Sequence, residues 1–385
     1  MIEQRIFITG GAGFIGRRLI GSLLAQNPSA RIWVYDNLHP QVHGDSPAWP
    51  ELPQNVTFVY GDVVDAAALQ KAMMAAQPQL IYHLAAETGT SQSYDEPARY
   101  CAVNIQGTAN LIEAIRKVAT VTRVVLAASR AVYGEGAYKD ADGRLHNGLP
   151  RHPDAMQRGD FAVPVDHDAV LPLMPALTSS ALPPMPVSIY ASTKLMQEYL
   201  LTQASENSGW DVVCLRFQNV YGPGQSMKNP YTGVLSIFAR QLMDGKVLDI
   251  FEDGEIVRDF VFVDDVARAL TMAGAMQAPS GTIIDIGSGV PTTMVDVARL
   301  LMRALGRGED SYRITGNFRV GDIRYACADI SRAKNILGWQ PQVTIAQGLS
   351  LLASWAMTED QKAGDDGEQS DTDFRRDRPL AAARG

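Results

Sequence analysis

The first half of the chain alternates short apolar runs with stretches whose apolar residues recur at helical spacing. Residues 5–9, 31–35, 56–60, 80–84 and 123–128 read as strands. Residues 15–26, 66–76 and 104–119 read as helices between them. In 15–26, Leu19, Ile20, Leu23 and Leu24 share one helical face. Strands alternating with helices imply parallel crossover units. The predicted fold class is therefore α/β, a Rossmann-type doubly wound parallel sheet.

The pattern stops near Tyr133. Residues 133–188 are rich in Pro, Asp, His and Met and hold no period. Such a length exceeds an ordinary connection and predicts a lid, an insertion or a substrate-facing excursion. Periodicity returns with a helix at 188–205, for which Ser188 is the cap, and a strand at 212–217. A turn-rich region follows Tyr221-Gly222-Pro223-Gly224, with one more strand at 283–286. The expected organisation is a first lobe, 1–217, with an insertion at about 135–187, and a smaller second lobe, 218–356, that returns one strand to the sheet. From 357 to 385 the chain is charged and poor in apolar residues, which predicts a disordered tail.

Composition changes this picture only by exclusion. Hydrophobic residues make up 46% of the 385, enough for a sizeable core. The formal charge is −8, with no basic stripe, which argues against a nucleic-acid partner. The three cysteines, Cys101, Cys214 and Cys327, lie far apart, so neither a metal site nor a redox pair is expected. They read as buried thiols in a reducing compartment. No charged segment with a following apolar leader is seen, and no apolar run matches a bilayer. The expectation is a cytoplasmic protein without membrane partners.

Chemistry first appears at Gly10, Gly13 and Gly16, a G-x-x-G-x-x-G run between the first strand and the first helix. Glycines there let the chain turn tightly and its backbone approach a pyrophosphate. The following helix, from Phe14 and Ile15 onward, offers unpaired N–H groups to that anion. A glycine triplet alone is a weak signal. Here an acid, Asp36, stands about twenty positions on at the end of the second strand. A carboxylate there accepts from ribose hydroxyls and repels a 2′-phosphate, which predicts NAD rather than NADP. Asp62 ends the third strand, a place where an aspartate also simply closes a turn.

Tyr190 and Lys194 form Y-x-x-x-K on the helix at 188–205 and share a face. A phenol is a poor base at neutral pH. An ammonium one turn away, with the positive nicotinamide ring, stabilises the phenolate. The pair then removes a proton from an alcohol as hydride leaves its carbon. Ser129 ends the strand at 123–128, where a hydroxyl points into the ligand crevice of such sheets. Singly, each feature fits an ordinary surface helix or strand cap. Together, downstream of the glycine turn, they specify hydride transfer.

With these residues on the page, the chain resembles the extended short-chain dehydrogenase/reductase family, in its NAD-dependent epimerase/dehydratase branch. The matching stretches are residues 9–16, Tyr35-Asp36-Asn37-Leu38, Gly61-Asp62-Val63, His83-Leu84-Ala85-Ala86, Asn104-Ile105-Gln106-Gly107-Thr108, Ser129 with Val132-Tyr133-Gly134, residues 190–194, residues 216–224 and Arg258-Asp259-Phe260-Val261. They follow the family order over nearly the whole chain except the tail. The resemblance implies that the glycine turn holds the NAD pyrophosphate. It gives Asp36 and Asn37 to the adenosine ribose, Asp62 and Val63 to the adenine, and Leu84, Ala85 and Ala86 to the cofactor wall. Tyr190 would be the base and Lys194 its tuner and the nicotinamide-ribose ligand, with Ser129 as hydroxyl partner. Asn219 would touch the substrate, a nucleotide-diphosphate sugar, and Arg258 its diphosphate. Arg319 and Asp322 would lie at its nucleotide end, though a solvated Arg319 fits equally. The first lobe would then be the NAD-binding domain and the second the substrate lobe.

Dehydratases of this family carry an Asp-Glu pair just after the active-site hydroxyl. This chain has Arg130 and Ala131 there, which cannot serve as the acid and base of an elimination. The expectation is C4 epimerisation. A finer resemblance, in residues 85–90, 129–136 and 218–225, is to the subgroup that includes dTDP-L-rhamnose 4-epimerases. It implies a dTDP-6-deoxyhexose substrate and a place in polysaccharide biosynthesis. Glu87 and Thr88 lie where a sugar would pass, although Glu87 reads better as a loop carboxylate. The competing readings are a 4-keto-6-deoxy sugar-nucleotide reductase, a UDP-sugar 4-epimerase and a non-catalytic NAD sensor. Relatives commonly dimerise through helices equivalent to 104–119 and 188–205, so a homodimer is expected by analogy.

Overall fold

The computed structural model describes residues 4–44, 47, 51–164, 171–227 and 233–376. In chain order the described strands are β1 (Arg5–Thr9), β2 (Arg31–Asp36), β3 (Val56–Tyr60), β4 (Leu80–His83), β5 (Arg123–Ser129), β6 (Ala137–Lys139), β7 (Leu145–Asn147), β8 (Met174–Ala176), β9 (Asp211–Phe217), β10 (Asn219–Tyr221), β11 (Leu248–Ile250), β12 (Val257–Arg258), β13 (Phe260–Phe262), β14 (Thr282–Ile286), β15 (Thr292–Thr293) and β16 (Tyr312–Ile314). Seven of them form one parallel sheet in the order β14-β9-β5-β4-β1-β2-β3.

The apolar runs explain that sheet. Successive side chains of a strand point to opposite faces, so a run apolar at every position suits a strand covered on both sides. In β1, Ile6 and Ile8 enter one core with Leu19 and Leu23 of the helix Phe14–Gln26 and Leu270 of the helix Val263–Ala275. Phe7 enters the opposite core with Leu69 of the helix Ala66–Ala76 and Leu111 of the helix Gly107–Ile115. All three β1 residues are inaccessible to solvent. From β1 the chain winds outward to β2 and β3, and from β4 outward the other way. The strand order therefore reverses between β1 and β4, and a crevice opens at their C-terminal ends.

The expected strand at 283–286 is β14, which pairs with β9 at the sheet edge. The stretch expected as one helix at 104–119 is interrupted. Cys101–Gln106 is a π-helical turn, and a regular helix follows at Gly107–Ile115. Cys214 and Cys327 are buried as expected, but Cys101 is exposed. It opens that wide turn, in which Asn104 is the buried member.

The aperiodic segment contains a small antiparallel sheet, β7-β6-β8, and the short helix Pro153–Gln157. Strands of three residues are too short to print a period. Residues 165–170 of this segment lie outside the described residues. Its anchor is a buried guanidinium: Arg151 donates to Glu252 (2.8 Å) and to the Asp322 carbonyl (2.7 Å) and stands 3.4 Å from Glu135. A further apolar core, with Leu235, Phe238, Phe260, Phe262, Leu301 and Leu352, lies in the part after β9. The last helix, Ile345–Arg376, runs past residue 357, and residues 377–385 lie outside the described residues. Among the described residues no helix is long and apolar enough to cross a membrane.

Candidate active site

A cleft of about 730 Å³ opens over the crevice between β1 and β4. Gly10, Gly13, Phe14, Ile15, Gly16, Asp36, Asn37, Asp62, Val63, Leu84, Ala85 and Ala86 line it, as do Ser129, Tyr190, Asn219, Arg258 and Arg319. Lys194 does not reach this lining. It is buried one turn further along the helix, with 3% of its surface exposed.

The glycines are required by close approach. Gly10 has φ +69°, and a Cβ there would lie 2.6 Å from the Ala85 nitrogen. A Cβ on Gly16 would lie 2.4 Å from the Gly11 carbonyl oxygen. Between them the helix starts at Phe14 with no side-chain cap and no acid in its first turn. Its first N–H groups are left for an anion. Asp36 is 8% exposed and accepts from the Ala12 and Leu38 nitrogens at 3.0 and 2.9 Å. These bonds fix its carboxylate at the rim of the turn. Asn37 donates to Asp62 at 2.9 Å, and the Tyr35 hydroxyl donates to the Asp62 carbonyl at 3.0 Å. An uncapped helix start, a cradle that a Cβ would fill and a fixed carboxylate together fit an NAD pyrophosphate and ribose. Gly10→Ala is expected to weaken NAD binding at least about tenfold, because a positive φ and a backbone clash both oppose the side chain. Calorimetric titration with NAD on the folded variant measures this, and unchanged affinity would remove the turn from the cofactor site.

Ser188 caps the helix Ile189–Ser205 by accepting from Ala191 at 3.1 Å, as expected from its position. That start places Tyr190 in the first turn, facing the cleft beside Ser129 at the end of β5. Burial raises the Tyr190 phenol, and the neighbouring Ser129 hydroxyl works in the opposite direction. Tyr100 stands edge-on to the Tyr190 ring, with centroids 6.4 Å apart. Lys194 donates to Gln197. Burial lowers its ammonium to about 8, against the raising effect of Glu198.

Several groups carry no local sequence signal. Asn104, in the π-helical turn, accepts from the Glu87 nitrogen (2.8 Å) and donates to the Glu87 carbonyl (3.1 Å) and Thr193 (2.9 Å). It thus ties the exit of β4 to the helix carrying Tyr190. The motif containing Asn104 was visible, but its reach across the cleft was not. Glu87 pairs with Arg99 at 2.6 Å, which agrees with a loop carboxylate. Arg258 pairs with Asp322 at 2.6 Å, and Arg319 lies over the Phe251 ring, 4.9 Å from its centroid. Arg130, 8% exposed, donates to the Gly134 carbonyl at 2.7 Å, and burial beside Arg258 lowers its guanidinium to about 10.

Comparison with known proteins agrees with this geometry. Residues 7–146 match the model described as GDP-mannose 4,6 dehydratase, and residues 168–287 match that of the NAD dependent epimerase/dehydratase family. The chain is 39% identical over 357 residues to the dTDP-L-rhamnose 4-epimerase of Burkholderia thailandensis, covering 92% of this chain and 96% of that one. The UDP-glucose 4-epimerase of Thermotoga maritima, solved with UDP-glucose, superposes with a TM-score of 0.74 at 29% identity, over 92% of this chain and 99% of that one. The UDP-glucose 4-epimerase of Thermus thermophilus, solved with NAD, does so with a TM-score of 0.73 at 26% identity and the same coverage.

Proposed function

The chain belongs to the NAD-dependent epimerase/dehydratase family, and from that premise we propose that it is a nucleotide-sugar 4-epimerase, acting on a dTDP-6-deoxyhexose such as dTDP-L-rhamnose through a transient 4-keto sugar. The observation that carries this reading is the floor of the cleft. Tyr190 and Ser129 stand together there, and the next two positions, Arg130 and Ala131, supply neither acid nor base for an elimination. The 39% identity to a dTDP-L-rhamnose 4-epimerase supports the choice of sugar.

In this reading Ser129 holds the C4 oxygen and Tyr190 takes its proton. The glycine turn and Asp36 would hold NAD, which when bound would supply a reversible hydride acceptor at C4, so that no external reductant is consumed. Asn219 and Arg258 keep the nucleotide end in place while the keto sugar turns over. Tyr190 then gives the proton back to the oxygen. Lys194 tunes the phenol from one helical turn away. The first lobe, 1–217, serves the cofactor and 218–356 the substrate, and the enzyme works in the cytoplasm as a homodimer feeding polysaccharide biosynthesis. Met196 and Tyr199, exposed on the helix Ile189–Ser205, are consistent with a partner on that face.

The test is incubation with a panel of dTDP-, UDP- and GDP-sugars, with NMR readout of C4 stereochemistry. We expect interconversion of C4 epimers without added cofactor, with NAD copurifying near one per chain. A stoichiometric requirement for NADPH would mean a reductase and would sink the epimerase reading. A UDP-sugar turned over in preference to every dTDP-sugar would overturn the substrate.

A further inference from the structure

Lys194 and Gln197 are 3% and 0% exposed, and the Lys194 ammonium donates to the Gln197 carboxamide oxygen. An ammonium only donates, so the carboxamide oxygen must face Lys194 and the NH₂ must face away. On that side Gln197 Nε2 is 2.9 Å from Thr108 Oγ1 and 3.3 Å from His83 Nε2. Thr108 has committed its one proton to the Asn104 carbonyl, at 2.6 Å. Its oxygen therefore accepts from Gln197 and from His83 Nε2, 2.9 Å away. This puts the imidazole proton on Nε2 and leaves Nδ1 to accept from Thr9 Oγ1 at 2.7 Å. Thr9 Oγ1 accepts in turn from the Ala85 nitrogen at 3.3 Å. Burial, with the neighbouring Lys194, lowers His83 to about 3, so the ring stays neutral. With its proton on Nε2, the 3.3 Å approach of Gln197 Nε2 to that nitrogen is a contact between two donors and not a hydrogen bond.

We propose that Gln197 is a positioning residue for the reaction. It holds the Lys194 ammonium, and its own orientation is fixed by a buried hydrogen-bond network in which Gln197 and His83 both donate to Thr108 and Thr9, the residue preceding Gly10, donates to His83. Packing alone does not account for this side chain. A buried carboxamide is costly unless both its ends are used, and an apolar residue would fill the same volume at less cost. The network also joins β1, β4, the helix Gly107–Ile115 and the catalytic helix, so Lys194 is referenced to the strands that hold the cofactor turn. The inference rests on the assignment of Lys194 as the tuner of Tyr190.

The other groups facing Lys194 set the expected sign. Glu198 on the same helix favours the ammonium, but Arg216 of β9 binds that carboxylate at 2.9 and 2.6 Å. Cys214 of β9 and His83 of β4 are buried against it, and Tyr190 lies one turn earlier. Removing the Gln197 acceptor disfavours the charged lysine and lowers its pKa. Gln197→Leu should therefore move the alkaline limb of kcat/KM down by about one pH unit and lower kcat about tenfold, with KM little changed. Gln197→Glu, which offers a charged acceptor, should move the limb upward. A merely structural role would not shift the limb in opposite directions. In the wild-type holoenzyme, nitrogen NMR of labelled histidine should show His83 as a neutral Nε2–H tautomer that does not titrate near neutrality. This measurement needs neither turnover nor a folded variant. An unmoved limb in both folded variants, shifts of the same sign, or a His83 protonated on Nδ1 would overturn the proposal. If Tyr190→Phe is inactive while the Gln197 variants keep the wild-type profile, only this inference fails. If Tyr190→Phe stays active, the underlying assignment fails.

Discussion

Tyr190→Phe is expected to lower turnover by about 10³-fold or more while leaving the protein folded and able to bind NAD. The estimate is the usual scale for losing a positioned general acid–base, which here would act in both halves of the reaction. The phenyl ring that remains keeps its edge-on contact with Tyr100 and its place in the first turn of the helix Ile189–Ser205. Only the hydroxyl is lost, so thermal stability should change little. The glycine turn and Asp36 are untouched, so NAD content should match the wild type. Single-turnover assays, with NAD titration as the control, separate loss of chemistry from loss of cofactor. Turnover within a few fold of wild type would remove Tyr190 from the mechanism.

Arg216→Met should give the largest loss of stability, about 3–5 kcal/mol. Arg216 and Glu198 are each 2% exposed and share two hydrogen bonds, of 2.9 and 2.6 Å. The guanidinium also lies over the Tyr133 ring, 4.6 Å from its centroid, and the Tyr133 hydroxyl donates to Asp285 at 2.8 Å. Removing the cation leaves a buried carboxylate without the guanidinium that binds both its oxygens, and that penalty exceeds the net worth of the pair. The double variant Arg216→Met with Glu198→Leu should therefore recover most of the loss. Urea unfolding of the four proteins in the cycle measures the coupling. A single-variant loss below about 1 kcal/mol would show that water or another cation takes the place of Arg216.

The legible parts of this protein are those whose physics is local. An apolar run has the same period whatever it packs against, so β1 to β5, β9 and β14 could be placed within a residue or two. The turn at Gly10 demands a positive φ, which the sequence declares by offering glycine. The four-residue spacing of Tyr190 and Lys194 follows from helix geometry. It did not foretell that Tyr190 would line the cleft while Lys194 stays buried outside that lining. The π-helical turn at Cys101–Gln106 left no mark on the apolar pattern, because a single extra residue per turn does not disturb it.

By itself, then, the sequence determined the doubly wound sheet and the glycine turn with its aspartate, and it named the groups proposed to move a proton. The tertiary structure decided which partners those groups have. Arg151 meets Glu252 across 101 residues, Gln197 meets Thr108 across 89, and Tyr133 meets Asp285 across 152. The physical reason is that periodicity and dihedral preference act over a few residues. A buried hydrogen bond or ion pair forms only where the folded chain brings two distant groups together, away from water.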